Sequence, residues 1–182
     1  MTLTNGLVVM TPSSIAYSGT SASINADGSV DFSAATELRL NGVFTSDYDN
    51  YMITWRGTTS VSSGIFARLS VGGVDNSTTS SYTRQYLDAD GTSISAARAA
   101  YNFFASPIVS AAVQRAGCTM YLFGPYLTQP TVLRSVNAHD DSGAYFTDRG
   151  FTHNQSTSYD GINIYPGTGN MTGLLTVFGF NQ

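Results

Sequence analysis

Between Glu37 and Gly57 the chain reads ELRLNGVFTSDYDNYMITWRG, and on either side of its middle, apolar and polar residues change places at almost every step. Leu38 and Leu40 alternate with Glu37, Arg39 and Asn41, and further on Tyr51, Ile53 and Trp55 alternate with Met52, Thr54 and Arg56. A period of two puts successive side chains on opposite faces of an extended strand. The segment predicts two half-buried strands. The connection between them, Thr45-Ser-Asp-Tyr-Asp-Asn50, is turn chemistry, because Asp and Asn side chains bond their own backbone and tolerate tight bends.

The same grammar recurs along the chain. Thr20–Ile24, the turn Asn25-Ala-Asp-Gly28 and Ser29–Phe32 predict a hairpin. Gly64–Val71 places Ile65, Ala67, Leu69 and Val71 on one face, with Phe66 and Arg68 on the other. Ser81–Leu87 is a further strand closed by Asp88-Ala-Asp-Gly91, and later strands are expected at Cys118–Phe123, Thr131–Ala138, Gly143–Phe151, Gly161–Tyr165 and Thr172–Phe180. Composition points the same way: one Glu, no Lys and 45 Ser or Thr remove the usual fillers of exposed helix faces. One segment differs. Ala96, Ala97, Ala99 and Ala100 within Ser93–Ala105 admit a helix of about two to three turns, which Pro107 would stop.

Short strands with Gly, Asn and Asp turns, no βαβ alternation and no repeat period predict an all-β fold, an antiparallel two-sheet β-sandwich of jelly-roll type. At 182 residues one domain is expected, spanning 18–182 and burying roughly 70% of the unfolded chain's surface. Residues 1–17 read as an extended N-terminal arm, in which Thr11-Pro12-Ser13-Ser14 interrupts the apolar run Leu7–Met10. Such an arm covers a sheet edge of its own subunit or reaches a neighbouring one.

A net charge of −4, with 11% charged residues, leaves no basic stripe to neutralise a phosphate backbone, so nucleic acid is not an expected partner. The arginines at 39, 56, 68, 84, 98, 115, 134 and 149 are dispersed, which suits individual pairing with aspartates or carbonyls. Met1–Met10 lacks the positive flank of a signal peptide, and no stretch of 18 apolar residues occurs, so a soluble protein without membrane insertion is expected.

Candidate chemistry is sparse. Cys118 lies in an apolar run and reads as a small core hydrophobe. A serine hydrolase would have to recruit His139 or His153, and no Gly-x-Ser-x-Gly elbow supports that. A glycosidase wants two carboxylates, whereas Glu37 is the sole Glu and the acidic run His139-Asp140-Asp141 reads as a turn. That turn, with ligands from a neighbouring chain, stays open as an ion site. Asn25-x-Asp27-Gly28 and Asp88-x-Asp90-Gly91 resemble the start of calcium loops but lack the closing Glu. Catalytic, cofactor-binding and metal residues are therefore expected to be absent. The 11 Tyr and 10 Phe are the remaining population, and Tyr48, Tyr51, Tyr126 and Tyr159 fall in loop-like surroundings where they serve recognition or bond outward from the core.

The run from Pro12 to Ser33 (PSSIAYSGTSASINADGSVDFS), with Leu40-Asn-Gly-Val-Phe44, Asp47–Tyr51, Pro125–Thr131, Ser158–Ile162 and Gly173–Phe180, resembles small virion proteins of tailed bacteriophages, the minor tail and tail-fibre type. The resemblance implies a virion structural protein, assembled in the bacterial cytoplasm, that forms a symmetric oligomer, with a homotrimer as the expected order. It implies contacts with other virion proteins and, for a tail-tip or fibre placement, with a host surface glycan. A capsid decoration protein and a carbohydrate-active enzyme are the alternatives.

Overall fold

The computed structural model describes residues 6–110, 115–140 and 143–181, and among these every regular element is a strand. In chain order they are β1 Val8–Val9, β2 Ser14–Ser18, β3 Ser21–Ile24, β4 Val30–Ala35, β5 Glu37–Asn41, β6 Asn50–Thr59, β7 Ser63–Val71 and β8 Val74–Asp75. They continue as β9 Tyr82–Asp90, β10 Ser93–Tyr101, β11 Phe104–Ser110, β12 Ala116–Phe123, β13 Thr131–Asp140, β14 Ala144–His153, β15 Gly161–Pro166 and β16 Met171–Phe180.

Two antiparallel sheets pack as a sandwich. The larger runs β10-β9-β14-β13-β12-β6-β16-β4-β3, with β1 added against β16, and the smaller runs β11-β7-β15-β5-β2, with β8 against β7. The alternation read from the sequence sets which face meets the other sheet. Leu38, Leu40, Ile65, Ala67, Leu69, Ile162 and Ile164 from the small sheet are buried, as are Tyr51, Ile53, Trp55, Met120, Leu122 and Leu133 from the large one.

The Glu37–Gly57 segment does not form a hairpin. β5 belongs to the small sheet and β6 to the large one, so residues 42–49 carry the chain across the sandwich. Tyr51 fixes this crossing from inside. Its hydroxyl accepts the Thr45 backbone N–H at 2.7 Å and lies 2.9 and 3.1 Å from the Thr45 and Tyr48 carbonyl oxygens.

The hairpin over residues 20–32 forms as β3 and β4, with Gly28 at φ 84° closing its turn and the Asp27 carboxylate accepting the Ser29 N–H. Two expectations are corrected. Ser93–Ala105 is not a helix: β10 pairs over all nine residues with β9, and that continuous ladder outweighs the weak helical bias of four alanines. Asp88–Asp90 are the end of β9 rather than a turn: all three pair with β10 on one side and β14 on the other, and the Asp88 carboxylate binds Arg149 at 2.7 Å. The hairpin instead turns at Gly91-Thr92.

Residues 1–5 of the N-terminal arm lie outside the described residues. The rest of the arm lies on its own subunit: Val8 and Val9 pair with Gly179 and Phe178, and Ser14–Ser18 pairs with β5 to form an edge of the small sheet.

Candidate functional site

The outer face of the small sheet gathers side chains that are scattered in sequence. Because Leu38, Leu40, Ile162, Ile164, Ala67 and Leu69 point inward, their alternating neighbours Glu37, Arg39, Asn163, Tyr165, Phe66 and Arg68 point outward. The register then lines them up. Asn163 on the central β15 stands opposite Arg39 of β5 on one side and Arg68 of β7 on the other, and Tyr165 stands opposite Phe66. Asp75, on the short β8 that turns back beside β7, completes the group.

Asn163 is the hub. Its amide nitrogen donates at 2.8 Å to Glu37 Oε1 and at 2.8 Å to Asp75 Oδ2. Arg39 binds the same two carboxylates, with Nη2 at 3.1 Å from Glu37 Oε1 and 3.0 Å from Asp75 Oδ1. Arg68 donates from Nε to the Asn102 carbonyl at 3.1 Å and holds Nη1 4.0 Å from Asp75 Oδ2. Its guanidinium lies over the rings of Tyr165 and Phe103, at 5.4 and 5.8 Å from their centroids. Phe66 stacks on Phe103 at 4.6 Å and meets Tyr165 edge-on at 5.8 Å.

These groups border a cleft of 190 Å³, lined by Thr36, Glu37, Arg68, Asp75, Asn163 and Tyr165. Two polar atoms in it are buried and without a partner among the described residues: Asn163 Oδ1 and the Tyr165 hydroxyl. Burial pushes the Tyr165 pKa above its usual value, with the positive Arg68 opposing and the carboxylates of Asp75 and Glu37 reinforcing the shift, so the hydroxyl keeps its proton. The residues lining the cleft thus carry one unused acceptor and one unused donor, both covered from solvent, which meet a ligand when the Asn163 and Tyr165 side chains turn toward the cavity. Its lining carries one guanidinium, Arg68, and the carboxylates of Glu37 and Asp75, whose charge Arg39 offsets from outside the cleft, so no net positive charge faces the cavity, which suits an uncharged, hydroxyl-bearing ligand better than a phosphate or a polyanion. Its size matches a single sugar ring.

A larger hollow of 530 Å³ lies on the outer face of the large sheet, where Gly150 presents no side chain among Gln85, Arg98, Val132 and Thr152. It holds one charge and no buried polar atom lacking a partner, so it makes a less specific demand on a ligand.

Of the residues singled out from sequence, Glu37 lines this cleft and the others fall elsewhere. Cys118 is buried, with Sγ 3.5 Å from the Pro107 carbonyl, and desolvation pushes its thiol pKa well above the usual range. His153 is buried against Tyr82, its ring centroid 4.0 Å from that ring, and its Nε2 bonds the Tyr159 hydroxyl. Desolvation lowers its pKa to about 4, so it is a neutral core residue. His139 is buried beside Tyr145 at the end of β13, and Asp140 is exposed and accepts the Gly143 N–H at 3.1 Å. Asp141, the third member of that acidic turn, lies outside the described residues. Among the described residues no group of three His, Cys, Asp or Glu is placed to hold a metal ion. Of the tyrosines read as loop-like, Tyr51 lies in β6 and Tyr159 in the loop before β15, both in the core, while Tyr48 and Tyr126 pack against it.

Sequence reasoning missed the cleft because it spans β5, β7, β8 and β15, and strand adjacency is not written in any one of them. The available signal was the outward phase of Glu37, Arg39, Phe66 and Arg68. Of the dispersed arginines, Arg134 pairs alone with Asp148, and Arg84 donates to the Ala105 carbonyl, whereas Arg39 and Arg68 share Asp75 and Arg149 binds both Asp88 and the Ser106 carbonyl.

No protein-family model matches the chain, and no curated protein does. Among solved structures, the crystal structure of the botulinum neurotoxin serotype G binding domain aligns at 7% identity and a TM-score of 0.17, covering 98% of this chain. The chain spans 44% of that domain's length. At that TM-score the alignment bears on neither topology nor function.

Proposed function

We propose that this chain is a structural subunit of a tailed-phage virion, a tail-tip or fibre protein that assembles as a symmetric oligomer and contacts a glycan of the host surface through the cleft on its small sheet. The observation that carries the reading is the pair of buried, unpartnered groups, Asn163 Oδ1 and Tyr165 OH, on residues lining a cleft whose one aromatic wall, Tyr165, is backed by Phe66 and Phe103. An unused donor and acceptor cost free energy in the empty protein, and a ligand hydroxyl that bonds both returns it. Stacked rings supply the flat apolar surface on which the C–H face of a sugar packs. The sequence resemblance supports the virion setting, and a homotrimer is its expected order.

A second reading rests on the same place. Glu37 and Asp75 each accept from one nitrogen, Asn163 Nδ2, at 2.8 Å, so the two carboxylates lie close enough together to be weighed as a catalytic pair. Both are engaged by Arg39 as well, the arrangement of a fixed clamp rather than of a proton donor facing an apolar wall. Binding is the stronger reading.

Counting this subunit in purified particles by quantitative mass spectrometry tests the placement. A tail-tip or fibre protein is present in few copies, and hundreds of copies would assign it to the capsid surface as a decoration protein. Release of sugar from host envelopes that is lost in Glu37→Gln would establish the enzymatic reading.

A further inference from the structure

Among the described residues the two strand orders end in four edge strands, β10 and β3, β11 and β2, and three of them are protected. β2 and β3 are five and four residues long and lie side by side at the same end of the molecule. β11 carries Pro107, a register shift between Phe104 and Ile108, and a left-handed Ser106 at φ 57°. Short length, proline and bulges are the devices by which proteins keep strand edges from pairing with other chains.

β10 has none of these three, and its one charged residue is Arg98. The strand is nine residues, Ser-Ile-Ser-Ala-Ala-Arg-Ala-Ala-Tyr, paired in continuous register with β9 on one side and, among the described residues, with no strand on the other. Ser93 through Arg98 are exposed on both faces of the sheet, so neither face is covered by the second sheet. Alternate residues therefore present roughly four or five outward pairs of N–H and C=O groups along about 30 Å of strand. The exposed surface continues onto the neighbouring strands. Ile94 is 74% exposed and stands in a row with Ala89, Phe146 and Ala138, and Leu87, in the next row, is 47% exposed beside Ala96.

We infer that the β10 edge pairs antiparallel with β10 of a second copy about a two-fold axis at Ala97, joining two large sheets into one. The strand suits its own reverse. About that axis Ser93 meets the partner's Tyr101, Ile94 the partner's Ala100, Ser95 the partner's Ala99 and Ala96 the partner's Arg98. Small residues oppose large ones, and no charge faces its like directly. The two copies of Arg98 stand only on the diagonal, where repulsion is weaker. A closed two-fold contact uses the edge once and leaves no further edge to grow on, which an open strand of this kind otherwise invites. Where the three-fold order expected from the resemblance holds, the contact joins two such trimers, so the assembled protein is a hexamer rather than a free homotrimer and the oligomer has even order.

Cysteine cross-linking of the full chain tests it. In Ala97→Cys the two introduced thiols face one another across the axis at the Cα separation of paired residues, within disulfide reach, whereas in Ser93→Cys they are about 27 Å apart. Mild oxidation is expected to convert most of Ala97→Cys, and almost none of Ser93→Cys, to a covalent dimer. Sedimentation of the unmodified protein gives an even oligomer. Ala96→Lys, which sets a second cation against Arg98 of the partner subunit twice per contact, weakens association by about tenfold, and Ala96→Asp strengthens it. A monomer or an oligomer of odd order, equal cross-linking at both positions, or the same response to Lys and Asp at 96 overturns the inference.

Discussion

Arg149 holds Asp88 in a two-point contact, Nη2 to Oδ2 at 2.7 Å and Nε to Oδ1 at 3.2 Å, with both side chains nearly buried at 7% and 10% exposure. The pair ties β14 to β9, and the remaining Arg149 nitrogen donates to the Ser106 carbonyl of β11 at 2.8 Å, so a single guanidinium links the two sheets. It is the anchor of the part of the large sheet that carries β10.

Arg149→Met leaves the Asp88 carboxylate buried without its partner, and is expected to cost about 3–5 kcal/mol. Adding Asp88→Leu should recover much of that loss, since an apolar pair of similar volume replaces a buried ion pair at little net cost. Urea unfolding of the single and double variants checks both statements. Equal stability of wild type and Arg149→Met would mean the pair is solvated in solution.

His153 gives the fold a pH dependence with a definite sign. Its pKa is about 4 when folded against 6.5 unfolded, so the unfolded chain binds the extra proton first as pH falls. Above about 6.5 both forms are neutral and stability is flat. From about 6.5 down to about 4 stability falls, by on the order of 3 kcal/mol in total, and below that the histidine contributes no further slope. Chemical denaturation between those limits should show this slope in the wild type and a much flatter one in His153→Phe.

Gly57 and Gly173 face one another across β6 and β16, and the two strands approach there more closely than side chains allow. A Cβ at Gly173 would collide with the Arg56 carbonyl oxygen and come within 2.9 Å of the Gly57 Cα, both backbone atoms that cannot swing aside. Gly173→Ala is expected to lose about 2–3 kcal/mol. Gly150→Ala, where a Cβ meets nothing within 4 Å, should be neutral or gain a few tenths. Thermal melts of the two variants separate close approach from a general intolerance of alanine in strands.

The legible part of this molecule is local. Alternation in Glu37–Asn41 and Tyr51–Arg56 assigned the inward faces correctly, because a strand half-buried on one face must alternate. It could not say that the two strands lie in different sheets, since residues 42–49 read as a turn whether the chain reverses or crosses. The alanines of β10 were misread for a related reason. A strand exposed on both faces has no apolar side to bury and so carries no period-two signal, and helix propensity is what remains to be read. The cleft was hidden by topology: Glu37, Asp75 and Asn163 are brought together only because β15 inserts between β5 and β7, a neighbour relation set by the whole sandwich.

The central claim is that the cleft takes a neutral sugar, and titration of the purified full chain against a panel of host-surface glycans tests it most directly. Binding of a neutral glycan is expected, weakened about tenfold by Tyr165→Phe, which removes one hydroxyl and leaves the ring wall intact, and weakened similarly by Asn163→Leu. Absence of binding across the panel, or binding that both substitutions leave unchanged, would contradict the account.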